Sequence, residues 1–235
     1  MSFCVAVVGA GRMGSVVAGQ LPDSTKKIII DIDPDKASRL AETVGGISSG
    51  SLETANQADL VAVVLPTPAV NETVDKLLDV VQKGTIILNM ATTAHIDPAI
   101  MNNKKEIWVV DAKIIGHAMS ISRGEPGIVV VDCDDSSRFH LIREQLPGFH
   151  KVVQGNADLV ERINKIGSTE GIKAAVKVRK KLSALKVPED WMHVAIRTVC
   201  AGTMKSFTEN DLGHFALELV KKIEEEMEKK GGGKQ

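Results

Sequence analysis

Gly9, Gly11 and Gly14 stand directly after the apolar run 4–8 and open a segment in which Met13, Val16, Val17 and Leu21 recur at helical spacing. Bare backbone has a distinct use at each position. Gly9 permits a tight turn, Gly11 lets a pyrophosphate approach the main chain, and Gly14 lets helix and strand pack closely, with the helix N-terminus directed at the phosphates. Asp31 closes the next apolar run, where a carboxylate can accept both hydroxyls of a ribose. Gly9, Ala10, Gly11, Arg12, Met13, Gly14 and Asp31 therefore predict a dinucleotide cradle. Ile32 follows Asp31 where a site for a 2′-phosphate often carries an arginine, and Asp31 itself repels that phosphate, so NAD is expected over NADP.

A second set of residues lies further along. Leu65-Pro66-Thr67-Pro68 and Asn89-Met90-Ala91-Thr92-Thr93 each end an apolar run, so both loops belong at the carboxyl edge of a sheet, where ligands sit. Leu65, Pro66, Thr67 and Thr92 are thereby expected to line the nicotinamide half; for the two threonines, capping of a following helix is an equal alternative. His117 comes just past the run 107–112. An imidazole there can give or take the proton that accompanies hydride transfer, or it is a solvated loop residue. Lys113, Ser120, Ser122 and Arg123 are read as the same loop, with Arg123 suited to holding a substrate carboxylate bidentately and Ser120 beside it, or as solvated loop groups.

Other chemistries are excluded by what the chain lacks. Cys4, Cys133 and Cys200 are widely spaced, and His193 and His214 have no partners at ligand spacing, so neither a disulfide framework nor a metal site is expected. The cysteines read as small apolar residues in a reducing, cytoplasmic setting. There is no tyrosine, which rules out the Tyr and Lys acid pair of short-chain dehydrogenases. A formal charge of −1 over 235 residues gives no footprint for nucleic acid or an anionic membrane, and no apolar run reaches the roughly 20 residues of a bilayer span. The expected partner is a small molecule.

The elements that must position these residues follow from hydrophobic period. Apolar runs at 3–8, 27–31, 60–65, 85–89, 107–112 and 127–131 alternate with helix-length periodic segments, which predicts a Rossmann-type α/β domain over residues 1–154 with a mostly parallel sheet covered on both faces. Residues 155–230 read as a small all-helical domain, with breaks at Gly167-Ser168-Thr169, at Val187-Pro188 and near Asn210, and residues 231–235 as a polar tail. Its last segment sets Leu212, Phe215, Leu219, Val220, Ile223 and Met227 on one face. So short a domain builds a thin core alone, and a homodimer is expected to complete it.

With these residues in place, the chain over residues 3 to about 165 resembles the β-hydroxyacid dehydrogenase superfamily, which contains 6-phosphogluconate and 3-hydroxyisobutyrate dehydrogenases. The resemblance lies in the GxGxMG form of Gly9–Gly14, in Leu65–Pro68, in Val110-Asp111-Ala112, and in a segment similar to the family's D-A-P-V-S-G-G. It implies NAD(P)-dependent hydride transfer on a small hydroxy acid, a Ser-Gly-Gly turn for the substrate carboxylate, and an acid–base lysine on the first helix of the second domain. Here the turn reads Ile115-Gly116-His117 and the lysine position falls on Asn164, with Lys165 next to it. Asn164 and Lys165 are thus a polar anchor and an acid, or ordinary exposed helix positions. A shorter stretch, Gly116-His117-Ala118-Met119, is similar to the G-x-H-P-M segment of prephenate and arogenate dehydrogenases, whose histidine contacts the substrate hydroxyl. Imine and pyrroline-carboxylate reductases share the overall plan. Two readings stay open: an oxidoreductase acting on a hydroxy acid, keto acid or imine, and an NAD-binding sensor or partner subunit without turnover.

Overall fold

The computed structural model describes residues 2–101 and 106–231. Eight strands form one sheet: β1 (Cys4–Val8), β2 (Lys26–Ile30), β3 (Ile47–Ser49), β4 (Leu60–Val63), β5 (Ile86–Asn89), β6 (Trp108–Ile115), β7 (Ile128–Asp132) and β8 (Lys151–Gln154). Between and after them run α1 (Arg12–Gly19), α2 (Pro34–Val44), α3 (Thr67–Val80), α4 (Pro98–Met101), α5 (Ala118–Ile121), α6 (Ser136–Glu144), α7 (Asp158–Ala184), α8 (Glu189–Val194), α9 (Ala201–Glu209) and α10 (His214–Gly231). The strand order is β3-β2-β1-β4-β5-β6-β7-β8, so the chain reverses its direction of growth between β1 and β4, and a crevice opens at their carboxyl ends.

Strand alternation divides the apolar residues between two layers. Val5 and Val7 of β1 face a core with Val16 and Val17 of α1, Leu40 of α2 and Ile142 of α6, whereas Cys4, Ala6 and Val8 face a second core with Val70, Val74 and Leu77 of α3. Burial on both faces is why the central strands are apolar throughout. Local signals fix α2 in the same way: Asp33 accepts the N–H groups of Asp35 and Lys36 at its start, Pro34 opens it, and Gly45 ends it at φ 70°.

Four features differ from the pattern read in the sequence. The strands β3 and β8 were not expected; both are short edge strands with polar residues, which carry no apolar run. The strand β7 pairs antiparallel with β6, because their connection holds only the one-turn α5 and not a helix-length crossover. The strand β6 continues three residues past Ala112, so Lys113 belongs to a strand and not to the loop with Ser120 and Arg123. Finally, α7 runs unbroken through Gly167-Ser168-Thr169; each of its glycines, Gly167 and Gly171, costs a helix only about 1 kcal/mol, and the Lys-, Ala- and Arg-rich turns that follow are strong helix formers.

Two compact units are formed, Met1–Lys165 and Ile166–Gln235. In the second, the break at Val187-Pro188 separates α7 from α8 and that at Asn210, which adopts φ 56°, separates α9 from α10, while a π-helical stretch at Ala195–Cys200 joins α8 to α9. Leu212 precedes α10 and is not part of it. No described side chain between residues 166 and 229 is buried. Residues 232–235 of the expected tail lie outside the described residues, among which no helix is long and apolar enough to cross a membrane.

Candidate functional site

The turn from β1 into α1 is held by constraints that only glycine meets. Gly9 adopts φ 107°, donates its N–H to Ile30 O at 2.8 Å, and leaves only 2.4 Å between an added Cβ and Val64 O. At Gly14 an added Cβ would lie 1.8 Å from Gly9 O. Gly11 is different: no protein atom lies within 4 Å of where its Cβ would be. Nothing in the fold's own packing requires glycine there. Gly11 is also the N-cap of α1, a helix with no side-chain cap and no acidic residue in its first turn, so the helix end is open to a phosphate. The residues fit a dinucleotide.

Asp31 is fixed beside this turn. Its Oδ2 accepts the N–H of Ala10 at 2.7 Å and its Oδ1 that of Asp33 at 2.8 Å, which sets the orientation of the carboxylate and leaves lone pairs on both oxygens. Asp33 caps α2 and pairs with Lys36 at 3.0 Å; that contact holds its carboxyl below the ordinary range. Ile32 projects from the same rim, 98% exposed.

On the far side of the crevice, the loop after β5 is gripped by a group that sequence reasoning placed wrongly. Lys113 is 2% exposed, and its Nζ donates to Ala91 O at 2.6 Å and Ala94 O at 2.7 Å and lies 3.2 Å from Asp111 Oδ1. Burial holds this ammonium below the ordinary lysine value, against the opposing pull of Asp111 and, further off, Asp158 and Glu161. Asn89 grips the same loop, donating to Ala94 O and Asp111 Oδ1 and accepting the N–H of Ala91. A lysine set between Ala112 and the apolar pair Ile114-Ile115 was the available signal.

Residues 4–137 match the family model described as the NAD binding domain of 6-phosphogluconate dehydrogenase. The chain belongs to that family. The match covers this NAD(P)-binding domain from β1 to the start of α6. Three solved structures have the same fold over most of the chain. Pyrroline-5-carboxylate reductase from Coxiella burnetii is 15% identical with TM-score 0.70, over 95% of this chain and 85% of that one. Arogenate dehydrogenase from Synechocystis is 13% identical with TM-score 0.62, over 97% and 99%. 3-Hydroxyisobutyrate dehydrogenase from Mycobacterium tuberculosis is 16% identical with TM-score 0.59, over 94% and 70%. At such identities the likeness is one of fold, here a dehydrogenase-like one.

Within this 6-phosphogluconate-dehydrogenase-like domain the remaining sequence-derived residues fall into two groups. Leu65 packs against the Gly9 turn, and the Thr67 and Thr93 hydroxyls meet across the crevice mouth. Neither Thr67 nor Thr92 caps a helix by its side chain: Pro66 is the N-cap of α3, and Thr92 lies in a turn well before α4. His117 is exposed at the N-terminus of α5, and Asn164 donates to Ile114 O at 2.8 Å, which brings it to the end of β6 near His117. Ser120 is half-buried, while Arg123 and Lys165 are exposed. A cleft of about 430 Å³ between α1 and α5 is lined by Arg12, Ser15, Ala118, Met119 and Ser122.

Proposed function

We propose that the chain is a dehydrogenase or reductase that uses NAD to move a hydride to or from a small carboxylate-bearing hydroxy acid, keto acid or imine. The observation that carries this reading is Gly11, a glycine that the protein's own packing does not need, set at the open N-terminus of α1. When bound, the nicotinamide supplies the hydride chemistry. The chain's own residues would do the rest. Arg12, Met13 and the glycines hold the phosphates, and Asp31 takes the ribose hydroxyls. Leu65, Pro66, Thr67 and Thr92 line the ring, Arg123 and Ser120 orient the substrate carboxylate, and His117 or Lys165 moves a proton, with Asn164 as a polar anchor.

The preference for NAD over NADP is supported by Asp31, held by two amides with lone pairs left on both oxygens, with Asp33 beside it and no arginine following. A solved neighbour contains NADP+, so the comparison is a real one. Titration calorimetry with both cofactors is expected to show NAD at least about tenfold tighter; tighter binding of NADP overturns the assignment of Asp31. Turnover is tested by following NADH absorbance with a panel of hydroxy acids, keto acids and cyclic imines, of which at least one is expected to react.

A second reading, a dinucleotide-binding sensor or partner subunit, is favoured by Asn164: where the resemblance implies an acid–base lysine, the side chain is an amide donating to Ile114 O. Cofactor binding without turnover across the whole panel selects it. We further propose a homodimer formed through the second unit, whose apolar residues are uncovered, and a cytoplasmic setting, supported by three free cysteines.

A further inference from the structure

We infer that Lys113 is a positioning residue: its ammonium acts as a built-in cation that locks the loop 90–97 into a wall for the nicotinamide half of the crevice. The inference rests on the proposed use of a nicotinamide dinucleotide. The register of the sheet shows why such a lock is needed. Asn89, the last residue of β5, pairs with Asp111, so β6 continues beyond β5 with no strand on that side. The loop 90–97 fills the place that a strand would occupy, and it has no ladder of hydrogen bonds of its own to hold it there.

Lys113 supplies the missing bonds. Its three protons match three acceptors, Ala91 O, Ala94 O and Asp111 Oδ1, so none is left to meet a ligand, and the group is too deeply buried to touch one. Ala91 and Ala94 are the residues that Asn89 also grips. The outer part of the loop is tied on other sides: the Thr93 hydroxyl meets that of Thr67, Asp97 N–H donates to Asn71 Oδ1 of α3, and His95 lies 3.6 Å from Asp158 and 3.7 Å from Glu161 of α7. Thr92 is carried between the fastened residues, beside the mouth formed by Thr67 and Leu65.

The two halves of the dinucleotide separate this role from general stability. Titration of the full chain with NAD and with ADP-ribose, which lacks the nicotinamide, compares one subsite with both. Lys113→Met is expected to weaken NAD about tenfold while leaving ADP-ribose within about twofold. His95→Ala changes a residue 62% exposed, where folding is not at stake, and is expected to weaken NAD about two- to threefold with ADP-ribose unchanged. Should Lys113→Met fail to fold, Lys113→Gln and His95→Ala are read by the same rule. Equal losses for both ligands, or no loss for either, overturn the inference. A wild-type chain that binds neither ligand overturns the proposed function itself.

Discussion

Gly11 and Gly14 have the same side chain for different reasons, and the difference can be measured. An added methyl at Gly14 would sit 1.8 Å from Gly9 O, a distance no side-chain adjustment relieves, because Cβ has no rotamer freedom and the oxygen it meets is backbone. Gly14→Ala is expected to cost about 3 kcal/mol or more, seen as a lower Tm by circular dichroism. At Gly11 the same methyl meets nothing, so Gly11→Ala is expected to melt within about 2 °C of wild type and to lose dinucleotide affinity by about tenfold or more. If Gly11→Ala binds NAD as well as wild type, no phosphate approaches that position. The glycine turn was legible in the sequence because its logic is local: glycine spacing, the strand before it and the helix after it lie within one short stretch, and Asp31 directly follows the very next strand. The contact that fixes Asp31, Ala10 N–H to Oδ2, involves a backbone group and leaves no mark in residue type.

At the scale of elements, the strand β6 shows what pattern reading misses. A lysine after an apolar run reads as the start of a loop, and here it lies within the strand, because the acceptors that compensate its burial are two main-chain carbonyls and one carboxylate. Carbonyls have no sequence signature. The short edge strands β3 and β8 escaped for a related reason: their pairing is settled by neighbours, not by their own hydrophobicity. The buried ammonium also couples β6 to pH. Its native value lies below the ordinary 10.5, with Asp111 on its own strand, His95 on the loop, and Asp158 and Glu161 on α7 around it. Between the native and ordinary values the unfolded chain binds more protons at this group than the folded one, so its contribution to stability rises with pH across that window and is lost as pH falls through the native value. The Tm of wild type minus that of Lys113→Met is therefore expected to increase with alkaline pH up to about 10.5. A difference that stays flat or falls means that the ammonium is not held down by burial.

For the whole molecule, the two units differ in how they are held together. The first has two layered cores of fully buried strands; the second has no buried side chain among residues 166–229, although apolar residues recur along its helices at the spacing of one face. In α10, Phe215, Leu219, Ile223 and Met227 form a stripe every fourth residue, and Phe215 and Met227 are 75% and 68% exposed. On the opposite side Lys221, Glu224, Glu225 and Glu228 give the helix a solvated face, so its apolar residues are gathered on one side. The proposed second copy would meet this stripe with a matching one, since a two-fold axis sets identical patches against each other. Light scattering at micromolar concentration is then expected to give about twice the chain mass of 25.2 kDa. Replacing Ile223 and Met227 with glutamate should return a monomeric mass, because two carboxylates would face two more across the axis in a dry contact. The dinucleotide cradle lies wholly in the first unit, so ADP-ribose affinity should survive that double substitution. A wild-type chain that scatters as a monomer would mean that something other than a second copy covers α10.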